Sequence, residues 1–144
     1  MKARERVREK LAELIGYLSD LKAQQELSWE EFQGNTMLRR GIERTLQMAI
    51  ECLLDIGNLI IAANKWRAPE NNRAVFQVLA EQGIVPAEVL QRYEKMAGFR
   101  NILVHEYTRV EPTIVYGVLK QGPVDMELFR EYILAYLKGG QNDE

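Results

Sequence analysis

The chain has 144 residues, a length that fits one domain, and its 47% hydrophobic and 28% charged residues are typical of a soluble globular protein. A formal net charge of −2 excludes a protein that binds nucleic acid over a uniformly positive surface, but it is compatible with a small basic cleft. The single cysteine, Cys52, cannot form an internal disulfide, and its apolar surroundings in "AIECLLDIG" predict a small buried hydrophobe rather than a reactive thiol.

The first residues, "MKARERVREK", are charged and lack the apolar segment of a secretory signal. The longest apolar stretch, "CLLDIGNLIIAA", is too short to span a bilayer and contains Asp55. We therefore expect a cytoplasmic protein that does not enter a membrane.

The first half of the chain predicts three helical segments. Residues 7 to 21 carry leucine and valine at alternating steps of four and three, which makes one apolar stripe on a helix. The "SWEE" at 28–31 has the serine and glutamate spacing of a capping box, which predicts the start of a short helix. A long helix is predicted over residues 36 to 64, and its stripe broadens toward the C-terminal half, as expected for a central helix.

The second half predicts further helices separated by glycine and proline. A short helix over residues 73 to 82 is closed by Gly83. The next helix begins near Pro86, which suits a first helical turn, and runs to about His105. Pro112 predicts a boundary, and "GPVDM" at 122–126 predicts a second break before the last helix.

No strand pattern competes with these helices. The fold class expected is therefore all-α, a single-domain up-and-down helical bundle of four to six helices. The domain is expected to span residues 1–138 and to be followed by a polar C-terminal tail, residues 139–144.

Several kinds of catalytic site are excluded by the motifs that the sequence lacks. It has no glycine-rich phosphate loop, no paired-cysteine motif and no His-x-x-His. One histidine cannot make a histidine-rich metal site, so we expect neither a metal nor another cofactor. No nucleophile-elbow motif supports a Ser-His-Asp triad.

The residues left for chemistry are clustered in "RNILVHEY", residues 100–107. Asn101 lies one helical turn before His105 and can hold the imidazole, whereas Arg100 is rotated from His105 by about 140° and must reach around the helix. The helix C-terminus and Glu106 favour imidazolium and Arg100 opposes it, so His105 can exchange protons near neutral pH. On physical grounds alone, a histidine that caps the helix, beside a solvated arginine and a packed tyrosine, is the commoner interpretation.

A second polar group lies in "ECLLDIGN", where Glu51, Asp55 and Asn58 share one helix face. An aspartate inside "LLDIG" is costly to bury without a partner. Two interpretations stay open for Asp55: a structural pair with an arginine, or a position in a cleft shared with the histidine.

The segment "RNILVHEY" resembles the HepT-like toxins of the HEPN superfamily, whose motif is Arg, four residues, His, any residue, Tyr. Arg100, His105 and Tyr107 match this motif, and Asn101 is the polar residue that usually follows the arginine. The resemblance extends over "VFQVLAEQGIVPAEVLQRYEKMAGFRNILVHEY". It also covers "IECLLDIGNLIIAANKW", in which Asp55 and Asn58 match the family's second helix.

The resemblance implies a metal-independent endoribonuclease that cuts RNA with Arg100 and His105. Asn101, Tyr107, Asp55 and Asn58 are implied as substrate-binding or supporting residues. It further implies a toxin–antitoxin pair, in which a minimal nucleotidyltransferase antitoxin modifies Tyr107 by adenylation.

A single histidine per chain favours a homodimer that joins two motif helices in one cleft. Two alternatives stay open. The bundle is then either an inactive HEPN module that binds a nucleotide or a partner, or a substrate-binding subunit of a nucleotidyltransferase.

Overall fold

The computed structural model describes residues 2–105 and 110–139, and these form a helical bundle in which no strand occurs. The all-α prediction is therefore confirmed. The six α helices are α1 (Ala3–Lys22), α2 (Trp29–Gln33), α3 (Thr36–Ala63), α4 (Asn72–Glu81), α5 (Leu90–Val104) and α6 (Pro112–Gly139), and one 3₁₀ turn (Ala87–Val89) precedes α5.

The helices at the N-terminus form as their sequence patterns predict. The apolar stripe of α1 is buried along its whole length. At the start of α2, the Glu31 amide donates to the Ser28 hydroxyl at 3.1 Å, and the Ser28 amide donates to the Glu31 carboxylate at 2.9 Å. This reciprocal capping box satisfies two donors that the first turn of a helix leaves unpaired.

Helix α3 is the centre of the bundle and contacts each of the other five α helices. By length and mean hydropathy alone its 28 residues would suffice to cross a membrane. In the folded chain, however, its apolar side chains are buried against the other helices. Cys52 is one of these buried residues, as predicted, and burial together with nearby Glu13 raises the pKa of its thiol to about 11.

Helix α4 crosses α3 at Gly57, where the absence of a side chain allows a close approach. A Cβ atom at this position would lie 2.5 Å from Val75 Cγ1 and 3.3 Å from Leu79 Cδ1. Both neighbours are fully buried, so neither can move without disturbing the core.

Gly57→Ala is therefore expected to lower the free energy of unfolding by about 1–3 kcal/mol, the usual cost of overpacking. Gly16→Ala is the matched control, because Gly16 lies on exposed α1 with nothing within 4 Å of a new Cβ. There alanine should stabilise by about 0.5–1 kcal/mol through helix propensity. Urea unfolding of both variants checks the prediction, and changes of the same sign would contradict it.

Helices α4 and α5 form an antiparallel hairpin. Their connection turns at Gly83, whose φ of 77° lies in the left-handed region that favours glycine. Asn72 of α4 contacts Asn101 of α5, and Gln77 contacts Glu94, so residue numbers fall along one helix as they rise along the other. The α helix begins four residues after Pro86, because the 3₁₀ turn comes first.

The predicted break at 122–126 is wrong, because α6 continues through Pro123. Proline has no N–H to donate to Leu119 O, which would normally leave that carbonyl unpaired. Here Gln25 Nε2 donates to Leu119 O at 3.0 Å and to Lys120 O at 3.3 Å. Pro123 is itself buried, and a residue distant in sequence donates the hydrogen bond that its own nitrogen cannot.

Helix α6 begins at Pro112, where a boundary was predicted, and it ends at Gly139. It is therefore longer than the last helix predicted from sequence, which was expected to start only after residue 126. The remaining tail, residues 140–144, lies outside the described part of the chain.

Candidate functional site

The side chain of Arg100 is anchored on the central helix. Its Nε and Nη2 both lie 3.1 Å from Oε2 of Glu51, and the two side chains are only 27% and 28% exposed. Gln47 Nε2 donates to the same oxygen at 3.0 Å from one turn earlier on α3. The carboxylate therefore holds the guanidinium in one orientation at the α3–α5 contact.

Asn101 extends this network to α4. Its Oδ1 accepts from Asn72 Nδ2 at 2.9 Å and from Arg100 Nη1 at 3.2 Å. The sequence predicted Asn101 as a neighbour of the imidazole, whereas these contacts direct its carbonyl oxygen toward Arg100 and α4. Asn101 thus fixes a second edge of the guanidinium.

Within the residues that the structure describes, Arg100 donates one hydrogen bond from Nε to Glu51 and one from Nη1 to Asn101, and its Nη2 forms the ion pair with Glu51. Among residues 2–105 and 110–139, these contacts leave further N–H donors on the two Nη atoms for an anion. A planar fork held in this way suits bidentate binding of a phosphate group.

His105 ends α5, as the sequence predicted. It is the residue that follows Val104, it is exposed, and its amide donates to Ile102 O at 3.2 Å. Its backbone is extended (φ −85°, ψ 101°), so the helical conformation ends at this residue. The carbonyl end of the α5 dipole lies here.

Glu106 and Tyr107 lie outside the described residues, so their predicted roles remain predictions.

Asp55 and Asn58 lie on the same exposed stripe of α3 as Glu51, but they face α1. Asp55, 52% exposed, pairs with Lys10 of α1 at 3.3 Å, so its partner is a lysine rather than the arginine considered from sequence. Asn58 lines a shallow surface groove together with Lys10 and Arg6. The structure therefore joins Glu51, and not Asp55, to Arg100.

Sequence reasoning missed Gln47, Glu51 and Asn72 as partners of the motif. Glu51 was visible as a polar residue one turn before Asp55, but only the packing of α5 on α3 shows which carboxylate meets the arginine. In the described part of the chain, no group of three or more His, Cys, Asp and Glu side chains is arranged to hold a metal ion.

The family model described as "Ribonuclease HepT-like" matches residues 9–133, which is most of the chain. The chain belongs to the ribonuclease HepT-like family. The suspected resemblance at "RNILVHEY" is thereby confirmed, and the matched region contains Arg100, His105 and Glu51.

Two relatives of this HepT-like chain are named as nucleases of different RNAs. The mRNA nuclease HepT of Shewanella oneidensis is 30% identical over 105 residues, covering 73% of this chain and 79% of the relative. The tRNA nuclease HepT of Aphanizomenon flos-aquae is 29% identical over 126 residues, covering 87% and 86%.

The HepT-like fold is also that of a toxin solved with its antitoxin. The tri-AMPylated HEPN toxin of Shewanella oneidensis, in complex with an MNT antitoxin, superposes with a TM-score of 0.81 at 26% identity. The match covers 90% of this chain and 96% of that toxin.

Proposed function

We propose that this HepT-like protein is a metal-independent endoribonuclease and the toxin of a pair with a minimal nucleotidyltransferase antitoxin, acting in the cytoplasm. The observation that carries the proposal is the anchored Arg100 on the helix that ends at His105. Membership of a ribonuclease family supports the substrate class, and the AMPylated toxin of Shewanella oneidensis supports the partner.

RNA supplies its own nucleophile, the 2′-hydroxyl. In the proposed reaction a base removes the 2′-O–H proton, and the 2′-oxygen attacks the adjacent phosphorus. The bond to the 5′-oxygen breaks, and an acid protonates that leaving oxygen. The products are a 2′,3′-cyclic phosphate and a 5′-hydroxyl end.

His105 is assigned to proton transfer, because an imidazole can both accept and donate a proton and histidine is the side chain most often used in this role. Arg100 is assigned to the charge that develops on the phosphorane oxygens. Asn101 is assigned a supporting role through its contact with Arg100, and Asp55 and Asn58 a role at the rim, on the same α3 stripe.

A homodimer would provide a second histidine, which the base and acid roles require if they act simultaneously. Exposed apolar side chains support an interface near the motif: Ile102 and Val104 at the end of α5 and Ile114 at the start of α6 are 42%, 38% and 53% exposed. Light scattering that shows a monomer at micromolar concentration would contradict this part of the proposal.

The decisive experiment is incubation of the purified protein with end-labelled RNA, with and without EDTA. Cleavage that is insensitive to EDTA and leaves a 2′,3′-cyclic phosphate is expected. Loss of cleavage in EDTA, or a 3′-hydroxyl product, would refute the mechanism. RNA left intact in both conditions would favour the alternative of an inactive module that binds a nucleotide or a partner.

Tyr107→Phe is expected to retain some cleavage but to resist silencing by the antitoxin. The phenol is proposed to stand at the lip of the cleft and to accept adenylate, which adds bulk and negative charge that compete with RNA for Arg100. Intact-mass spectrometry after incubation with the nucleotidyltransferase and ATP should show AMP additions on the wild type alone. Equal modification of both proteins, or full cleavage by modified wild type, would contradict the assignment.

A further inference from the structure

The exposed stripe of α3 that contains Glu51 changes charge along its length. Steps of four and three place its members within one narrow sector of the helix. Toward the C-terminus the stripe carries Asp55, which is paired with Lys10. Toward the N-terminus it is basic. The members, from one end to the other, are Arg40, Arg44, Gln47, Glu51, Asp55 and Asn58.

Helix α5, which carries Arg100 and ends at His105, runs toward the basic, N-terminal end of this stripe. Arg67, just beyond α3, pairs with Glu81 at the end of α4, and Gly57 meets the middle of α4, so α4 runs roughly parallel to α3. Because α5 is antiparallel to α4, it is also antiparallel to α3. From the contact between Arg100 and Glu51, α5 therefore continues toward the N-terminus of α3.

Helix geometry places His105 next to the part of the α3 stripe that carries Arg44 and Arg40. From Arg100 to His105 the chain advances by about 7 Å along α5, which corresponds to the level of Gln47 on α3. Arg44 lies about 10 Å and Arg40 about 16 Å from Glu51 along the axis. Along the axis of α3, Arg44 and Arg40 therefore lie beyond His105, in the direction that leads from Arg100 to His105.

Both arginines have their charge accessible to solvent. Arg40 and Arg44 are exposed, and no ion pair joins either of them to a carboxylate within residues 2–105 and 110–139. Glu43 is the acidic neighbour on α3; burial raises the pKa of its carboxyl, while Arg39 and Arg40 favour its charged form. The neighbouring Arg39 binds a backbone carbonyl instead, since its Nη1 donates to Gln33 O at 2.6 Å.

We propose that Arg44 and Arg40 bind phosphates of the RNA strand that runs from the site at Arg100 and His105 along α3. This inference rests on the proposed ribonuclease function. It extends that function from the phosphate that is cleaved to a path of neighbouring phosphates along the same strand. Phosphate contacts position a nucleic acid without reading its bases. The path would therefore favour single-stranded RNA long enough to span it, with little dependence on sequence.

The test compares Arg40→Gln/Arg44→Gln with Arg8→Gln, each made in the His105→Ala protein so that RNA stays intact. Arg8 is the control, because it is also exposed but lies on α1, near the Asp55 end of the stripe; the single variant Arg44→Gln is compared with it as well, since each removes one charge. Fluorescence anisotropy with a labelled decanucleotide should show about tenfold weaker binding by the double variant at low salt. Its salt dependence should fall by about 1.4 in slope, which corresponds to two phosphates of a single strand.

Cleavage by the double variant with His105 intact gives a second readout. The loss is expected in KM more than in kcat, and it should be smaller for a dinucleotide than for a decanucleotide. Unchanged melting temperatures confirm that the exposed substitutions leave the fold intact. If the double variant and the Arg8→Gln control show the same affinity and salt slope while the wild type cuts RNA normally, the proposed phosphate path is wrong. The proposed ribonuclease function would be unaffected by that result. A wild type that neither binds nor cuts RNA would overturn both.

Discussion

His105→Ala is expected to reduce RNA cleavage by at least about 100-fold, because general acid–base catalysis contributes roughly 10²–10⁴-fold and the chain has one imidazole to supply it. In the proposed dimer the same substitution removes both histidines of a cleft. Initial rates on end-labelled RNA, measured at several enzyme concentrations, give the effect.

The fold should survive this substitution. His105 is an exposed residue at a helix end, and such changes usually alter stability by less than about 0.5 kcal/mol. The melting temperature is therefore the control. A variant that keeps its melting temperature and still cuts RNA at the wild-type rate would remove His105 from the mechanism.

Arg100→Lys is expected to have the second large effect, a loss of about 10²–10³-fold in kcat/KM. This is the usual cost of removing a hydrogen-bond donor that faces the charge developing in the transition state. Lysine keeps the positive charge but has a single ammonium in place of the planar fork. One ammonium cannot contact Glu51 Oε2, Asn101 Oδ1 and a phosphate with the geometry that Nε, Nη1 and Nη2 provide. Steady-state kinetics on a defined oligonucleotide checks the prediction.

Glu51→Gln separates the orientation of Arg100 from its charge. The variant keeps the guanidinium but removes the carboxylate that holds it, so we expect a smaller loss, mainly in kcat. Glu94→Gln is the matched control, because Glu94 is another half-buried glutamate at the α4–α5 contact, bonded to Gln77 at 2.7 Å. Equal effects of the two glutamine variants would mean that Glu51 serves stability rather than the position of Arg100.

Local sequence patterns were sufficient to predict those helix starts, turns and helix ends that depend on neighbouring residues. The capping box at Ser28 and Glu31, the apolar stripe of α1 and the turn at Gly83 all depend on residues within a few positions of each other. The same holds for the end of α5 at the motif histidine. Each of these predictions is confirmed.

Predictions failed or stayed open where the determinant is distant in sequence. The helix continues through Pro123 because Gln25, nearly a hundred residues earlier, occupies the carbonyl that proline leaves unpaired. Likewise Glu51 meets Arg100 across 49 positions, which no periodicity within one helix can show. The pairing of Asp55 with Lys10 is of the same kind.

The contacts between the two ends of the chain have a consequence for its synthesis on the ribosome. Arg4 of α1 donates to Leu137 O of α6, and Lys120 of α6 donates to Gln25 O. Phe129 of α6 completes the core, with its ring edge-to-face against Phe76 and tilted against Tyr93. A nascent chain that has reached Tyr107 thus contains the motif but lacks α6, the helix that completes the core. Because contacts of such long sequence separation form only after both partners have emerged, the core is complete only once α6 has left the ribosome. A site that depends on this core is therefore not assembled while α6 is still inside the ribosome.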